Sequence, residues 1–147
     1  MERYTLMRDG LPALTFTGEH LATAGERPNR KGRMRWHSFT LFEADLTVDT
    51  LILGVHFHSE IPGEDDTFKV LIGTLDEVLD QVDAQNWTES VTEFPPAERF
   101  DARRADRKMK IERQAHAALS QLWHEAGIEM VIKTDISGTV LIEDLAE

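Results

Sequence analysis

Apolar and polar positions alternate most regularly between residues 51 and 58, which is the pattern of a strand with two different faces. Successive side chains of a strand point to opposite sides, so this segment divides into two sets of residues. A run rich in aromatic and β-branched residues at 35–43 predicts a neighbouring strand. One face of the 51–58 strand carries Leu51, Leu53, Val55 and Phe57, and the other carries Ile52, Gly54, His56, His58 and the following Glu60.

Shorter segments on both sides of this pair also have strand character. The dipeptide Asp9-Gly10 favours a tight hairpin between two of them. Residues 19–24 are expected to form a helical turn that is terminated by Gly25. The further strands are predicted at 4–8, 14–17 and 68–72, with a closing hairpin of 128–133 and 139–143.

Helical periodicity appears in two places. Thr74 and Glu77 match a capping box, in which each side chain satisfies a backbone amide of the other residue, and predict a helix over about 75–85. After Pro95-Pro96 a longer helix is expected from about Ala97 to Ala126, with Gly127 as its C-terminal stop. Trp123 follows its apolar stripe and is expected in the core, whereas Trp87 is the better interface candidate. The stripe consists of Ile111, Ala115, Ala118, Leu119, Leu122 and Ala126.

These elements predict an α+β fold with a single antiparallel sheet of about five to seven strands and two main helices packed on one face. A length of 147 residues with 41% apolar and 29% charged residues is typical of one globular domain. The expected domain therefore spans 1–147. It includes a basic loop at 26–34 and a proline-rich break at 94–97 before the long helix.

The charge is strongly segregated along the chain, whose formal net charge is −11. Between Trp36 and Glu98 there are fourteen carboxylates and one cation, Lys69. Two flanking windows, 27–35 and 99–113, hold twelve of the sixteen Lys and Arg residues. Such segregation either ties the fold to itself or selects a partner of opposite charge.

The acidic stretch has two interpretations, a solvated surface or a surface that binds a basic partner. The second makes the chain a small noncatalytic interaction module, a regulator or inhibitor of a nucleic-acid-handling protein. Carboxylates on a sheet face and a helix can imitate the phosphates of a nucleic acid. The candidate partner-binding residues are Glu60, Glu64, Asp65, Asp66, Asp76 and Asp80.

The basic windows leave a similar choice. The cations either pair with the acidic stretch of the same molecule or bind an anion such as phosphate, a nucleic-acid backbone or an acidic protein. Nucleic acid is thus a second partner class, although the overall acidity disfavours it. The candidate anion-binding residues are Arg30, Arg33, Arg103, Arg107 and Lys110.

The alternative function is a metal-dependent enzyme or small-ligand binder, based on His56, His58 and Glu60. Two imidazoles two residues apart on a strand point the same way, and a nearby carboxylate can be a third ligand. Glu64, Asp65, Asp66 or His37 could complete the set, which would suit zinc, iron, manganese or nickel. The pattern partly resembles the metal motif of cupin barrels, but it lacks that motif's spacing and its second half, so the chain is not assigned to that family.

Several classes of function lack sequence support. The chain has no cysteine, which removes disulfides, thiolate catalysis and zinc–thiolate sites and favours a reducing compartment such as the cytoplasm. It shows neither an apolar segment long enough to span a membrane nor the apolar block of a signal peptide. Glycine-rich phosphate loops and a nucleophile elbow are also missing, so no catalytic residue is assigned.

Overall fold

The computed structural model describes residues 1–44, 49–91, 102–128, 130–134 and 140–144, with side chains described for 1–44, 49–91 and 105–128. The predicted break at 94–97 and the start of the long helix lie outside these residues. The elements are β1 (Glu2–Leu6), β2 (Leu14–Ala24), β3 (Arg35–Ala44), β4 (Leu51–Ser59), β5 (Thr67–Gly73), α1 (Leu75–Asp83), α2 (Ala102–Glu125), β6 (Met130–Thr134) and β7 (Val140–Asp144).

The first five strands form one antiparallel sheet in chain order, β1-β2-β3-β4-β5, and β6 pairs with β7 in a separate two-stranded ladder. The predicted α+β class with an antiparallel sheet is confirmed. The sheet itself has five strands, because the closing hairpin forms its own ladder. Residues 26–34 contain neither helix nor strand, in agreement with the expected loop.

The helical turn predicted at residues 19–24 is wrong, because β2 continues through Ala24. Its second half pairs with β3, and the register shifts between His20 and Ala22. Ala22 and Ala24 become buried through this pairing. Tertiary packing therefore overrides the weak local preference of this segment.

The sheet curls until the connection after β1 reaches β5 at the opposite edge. The backbone N–H of Asp9 donates to the carbonyl of Phe68 at 3.0 Å. In return, the N–H of Phe68 donates to the Asp9 carboxylate at 3.0 Å. Asp9 thus joins the two edges of the sheet. The concave side that this contact partly encloses is the inner face of the sheet.

The larger apolar cluster combines the sheet with both helices. Phe39 and Leu53 of the sheet, Val78 of α1 and Leu122 of α2 all belong to it and are almost fully buried. The predicted stripe of α2 is buried from Ile111 to Leu122, Ala126 just after the helix is partly buried, and Trp123 is buried as expected. Helix α2 contacts β2 and β3, while α1 contacts β4 and β5. The placement of both helices on one face stays a prediction.

A smaller cluster lies on the other face of the strands. It contains Phe16, Phe42 and Ile52, with Tyr4 and Leu6 packed against it. Ile52 is only 3% exposed although the alternation places it on the polar face of β4. The curl explains this burial, since it brings the side chains of β1 over the inner face.

Trp87 does not lie on the surface, so its prediction as an interface residue is wrong. It is 6% exposed and packs edge-on against the rings of His37 and Phe39. The capping box is confirmed, since the Thr74 hydroxyl accepts from the N–H of Glu77 and the Glu77 carboxylate accepts from the N–H of Thr74. In the described part of the chain, no helix is long and apolar enough to cross a membrane.

Candidate metal centre

His56, His58 and Asp66 come together on the inner face of the curled sheet. The antiparallel register pairs Phe57 with Thr67, so the next step of the hairpin brings Asp66 opposite His58. Facing residues of an antiparallel pair project to the same side. Within the described residues, these three form the group whose potential ligand atoms all lie within 4.8 Å of one another.

The carboxylate of Asp66 is held between a histidine and the backbone. The Asp66 Oδ2 atom lies 2.9 Å from His56 Nε2 and 4.0 Å from His58 Nδ1. The Oδ1 atom accepts a hydrogen bond of 3.0 Å from the N–H of Ser59. The Ser59 bond fixes the orientation of the carboxylate, so that its second oxygen faces both imidazoles.

His58 has a second partner, Ser38, on the neighbouring strand. The Ser38 hydroxyl and His58 Nε2 are 2.8 Å apart. When His58 carries its proton on Nε2 and donates it to Ser38, the lone pair of Nδ1 is on the side of Asp66. Metal-ligating histidines ordinarily donate their other ring N–H in this way.

Four aromatic rings form a row of contacts across β3, β4 and β5. The ring centroids of His56 and His58 are 3.6 Å apart. Trp36 is stacked on His58 with a centroid distance of 4.6 Å, and Phe68 packs against His56 with a centroid distance of 4.2 Å. The lone pair of an imidazole lies in the plane of its ring. The planes of the two histidine rings must therefore tilt further apart before both rings can bind the same ion.

Metal binding requires neutral imidazoles and ionised carboxylates, and the surroundings of His58 and Asp66 favour these states. Burial lowers the pKa of His58, and the neighbouring His56 lowers it further. For Asp66, burial raises the pKa, but the hydrogen bonds from the Ser59 N–H and from His56 outweigh it and lower the pKa overall.

Glu60, the third ligand expected from the sequence, is held elsewhere. Its carboxylate forms two hydrogen bonds with Arg27, at 2.8 and 2.9 Å, and accepts a third from the N–H of Met34 at 2.8 Å. These contacts lower the pKa of Glu60. Arg27 also donates to carbonyls within its own loop, including that of Gly32. The structure thus brings Asp66 to the histidines and uses Glu60 to anchor the basic loop.

Glu64 is buried rather than displayed. It is 6% exposed and accepts two hydrogen bonds from Arg35, at 2.6 and 2.9 Å, and one from the Ser59 hydroxyl at 2.7 Å. The acidic segment 60–66 before β5 and the basic window 27–35 therefore bind each other through two ion pairs. These pairs are Arg27–Glu60 and Arg35–Glu64. In this region, the segregated charges of the sequence tie the fold to itself.

The other acidic candidates are on the surface. Asp65, Asp76 and Asp80 are exposed, and the last two lie on α1 together with the exposed Asp83. Positions 76, 80 and 83 follow helical spacing and therefore share one side of the helix.

The basic candidates are divided between the loop and α2. Arg30 and Arg33 are exposed in the loop, and Arg107 and Lys110 are exposed on α2, where Lys110 pairs with Asp106 at 3.2 Å. Arg103 belongs to α2, but its side chain lies outside the described residues.

His37 lies on the opposite face of the sheet from the histidine pair. It is 4% exposed, and its Nδ1 atom has no hydrogen-bond partner among the described residues. Burial, with repulsion from His58 and Lys69, lowers the pKa of His37 from 6.5 to about 4. This histidine is a neutral core residue and does not join the metal cluster.

Comparison of the chain with protein-family models, with curated proteins and with solved structures finds no match.

Proposed function

We propose that this protein binds a divalent transition metal through His56, His58 and Asp66 and uses it to hold or transform a small molecule. The observation that carries the proposal is the position of this cluster beside a cleft of about 250 Å³, to which His56 and Ser38 both contribute. A few convergent polar groups at a concave site are the usual mark of a ligand-binding position.

The donor set defines the chemistry. Two imidazoles and one carboxylate, without thiolate, suit zinc, iron, manganese or nickel. Three protein ligands leave coordination positions open for water or for an oxygen atom of a ligand. A metal in such a site can lower the pKa of a bound water or polarise a carbonyl group. Ser38 and Ser59 would orient His58 and Asp66 from behind.

Elemental analysis of tag-free protein, purified without chelator, tests this proposal. We expect a near-stoichiometric transition metal in the wild type and its loss in the His56→Ala/His58→Ala variant. The matched control is His20→Ala/His116→Ala, which removes the same number of histidines from exposed positions. If the wild type contains no metal and also fails to take up added zinc, the proposal is wrong.

The second candidate function is the interaction module, a regulator or inhibitor that binds a basic surface of a nucleic-acid-handling protein. It is favoured by the exposed Asp76, Asp80 and Asp83 on one side of α1, which have no ion-pair partner among the described residues. Asp65 adds a further exposed carboxylate. Because Glu60 and Glu64 bind arginines of the same molecule, α1 would carry most of the contact.

Partner capture from cell extract at graded salt tests the second candidate. Association through carboxylates weakens as salt rises, because salt screens exposed charges. An Asp76→Asn/Asp80→Asn/Asp83→Asn variant should lose the captured protein, whereas Glu19→Gln/Glu112→Gln/Glu125→Gln, with the same change in net charge, should retain it. Equal capture by both variants would exclude this surface. Since the chain lacks cysteine, we place either function in a reducing compartment, the cytoplasm.

A further inference from the structure

The cleft beside the histidine pair lies between β1 and the β4–β5 hairpin, above β3. Leu6 borders it from β1, Ser38 and Thr40 from β3, Gly54 and His56 from β4, and Phe68 from β5. The hydrogen bonds between Asp9 and Phe68 bridge the edges of the sheet near this cleft. The curl of the sheet thus forms a partly enclosed space next to the metal cluster.

Gly54 borders this space without a side chain of its own. A glycine in the interior of a strand is destabilising relative to alanine and often marks the close approach of a ligand. A Cβ atom at Gly54 would meet the Leu6 methyl groups, at 3.4 and 3.5 Å, and the Thr40 carbonyl oxygen, at 3.8 Å, which are ordinary contacts. At Gly25, in contrast, φ is +97° and a Cβ would collide with the His37 carbonyl oxygen. Backbone geometry therefore requires glycine at position 25 but not at 54.

The side chains that line the cleft include no carboxylate, and its other polar groups besides His56 are hydroxyls. Leu6 and Phe68 supply apolar surface, and Ser38 and Thr40 face the same side of β3 with their hydroxyls. Lys69 borders the cleft through its main chain, because its ammonium group binds Glu89 at 2.6 Å on the other side of the strand. An uncharged, partly apolar body fits such walls.

The metal cluster adds a charge requirement at one end. A divalent ion held by two neutral histidines and the single carboxylate of Asp66 keeps one net positive charge. An anionic oxygen donor is the natural further ligand for such an ion. A cavity of about 150 Å³ is enough to hold benzene. The cleft, at about 250 Å³, therefore has room for one ring and a carboxylate.

We propose that the cleft binds a small monocarboxylate with one aromatic ring or a short alkyl chain. The carboxylate binds the metal at His56, His58 and Asp66, and the apolar body lies in the cleft against Leu6, Gly54 and Phe68. This inference rests on the proposed metal function. It adds the class of ligand and names Gly54 as the residue that determines the size of that ligand.

Optical titration of the Co²⁺-loaded protein tests the inference, with benzoate as the probe and benzyl alcohol as its uncharged counterpart. Co²⁺ is titrated first, so that metal affinity is known before benzoate is added. We expect benzoate to change the visible spectrum of the bound Co²⁺ and to bind at least about tenfold more tightly than benzyl alcohol.

The variants Gly54→Val and Gly54→Ala fill the cleft without touching a metal ligand. In Gly54→Val we expect benzoate to bind at least about tenfold more weakly, with an intermediate effect in Gly54→Ala and an unchanged Co²⁺ affinity in both. Gly54→Ala adds only one methyl group, so it decides the question if the valine variant does not fold.

The two proposals fail in different ways. If Co²⁺ binds but benzoate leaves its spectrum unchanged, the ligand class is wrong. If benzoate binds equally well to all three proteins, the role of Gly54 is wrong. The metal function stands in both cases. If Co²⁺ itself does not bind to the wild type, both proposals are overturned at the first step.

Discussion

Arg35 and Glu64 form an ion pair with two hydrogen bonds, of 2.6 and 2.9 Å, in which the Glu64 side chain is fully shielded from solvent. Removing one partner of such a pair leaves a buried charge without compensation, whereas replacing both by apolar groups is often tolerated. The carboxylate also accepts the Ser59 hydroxyl, so the pair fixes the turn that presents Asp66 to the histidines.

Arg35→Met should therefore lower the free energy of unfolding by about 3–5 kcal/mol, measured by urea denaturation. The double variant Arg35→Met/Glu64→Leu should recover most of that loss. Arg27→Met, which breaks the exposed pair with Glu60, is the matched control and should cost less. Equal losses in Arg35→Met and Arg27→Met would contradict the difference in burial.

Because the pKa of His37 is lowered in the folded protein, we expect a loss of stability on mild acidification. Its pKa is about 4 in the folded protein and 6.5 in an ordinary environment, so between these values the unfolded chain binds the proton more readily. Stability is unaffected by this group above that window, falls as the pH drops through it, and levels off below it. The full effect is about 3 kcal/mol, from about 1.4 kcal/mol per pKa unit.

Urea denaturation of metal-free protein at pH 7 and pH 5 measures this effect. His37→Phe should flatten the difference in unfolding free energy between the two pH values. The exposed His116 provides the control, and His116→Gln should keep the wild-type pH dependence. A wild-type slope in His37→Phe would show that other groups cause it. The charges of His58 and Lys69 also lower the pKa of His37, so these two groups are the first alternatives.

Gln114 joins α2 to β3 through the backbone of His37. Its side-chain amide accepts from the His37 N–H at 2.7 Å and donates to the His37 carbonyl at 2.8 Å. Gln114→Leu leaves both partly buried backbone groups without this partner and should lower the free energy of unfolding by about 1–3 kcal/mol.

Gln121→Leu is the control for Gln114→Leu, because Gln121 is exposed on the same helix and bonds only with Glu125 in the described contacts. Denaturation of both variants by urea should show a clear loss for position 114 and almost none for position 121. Similar stabilities of the two variants would show that the His37 contact contributes little.

Local sequence signals predicted the elements that depend on few neighbours. The alternation of β4 and the Thr74–Glu77 capping box were both confirmed, because each reflects geometry within one segment. The second half of β2 was missed because its strand conformation depends on pairing with β3. Trp87 was misplaced for a similar reason, since its neighbours His37 and Phe39 belong to a distant strand.

The candidate site shows the same limit. The spacing of the two histidines on one strand identifies them as a pair, but the same spacing points to Glu60 as the third ligand. Glu60 lies just beyond the end of β4 and is drawn to Arg27, which is 33 positions earlier in the chain. The signal for Asp66 was the hairpin: the turn at Pro62-Gly63 places residues 58 and 66 opposite each other.

The most direct test of the account is therefore the identity of the carboxylate that binds the metal. Zinc is titrated calorimetrically into the metal-free wild type, Asp66→Asn and Glu60→Gln, two variants that each remove one negative charge. We predict that Asp66→Asn binds zinc at least about a hundredfold more weakly, since even a supporting residue is worth about 10–100-fold, and that Glu60→Gln binds as the wild type does. Wild-type affinity in Asp66→Asn, or an equal loss in both variants, would contradict the metal centre described above.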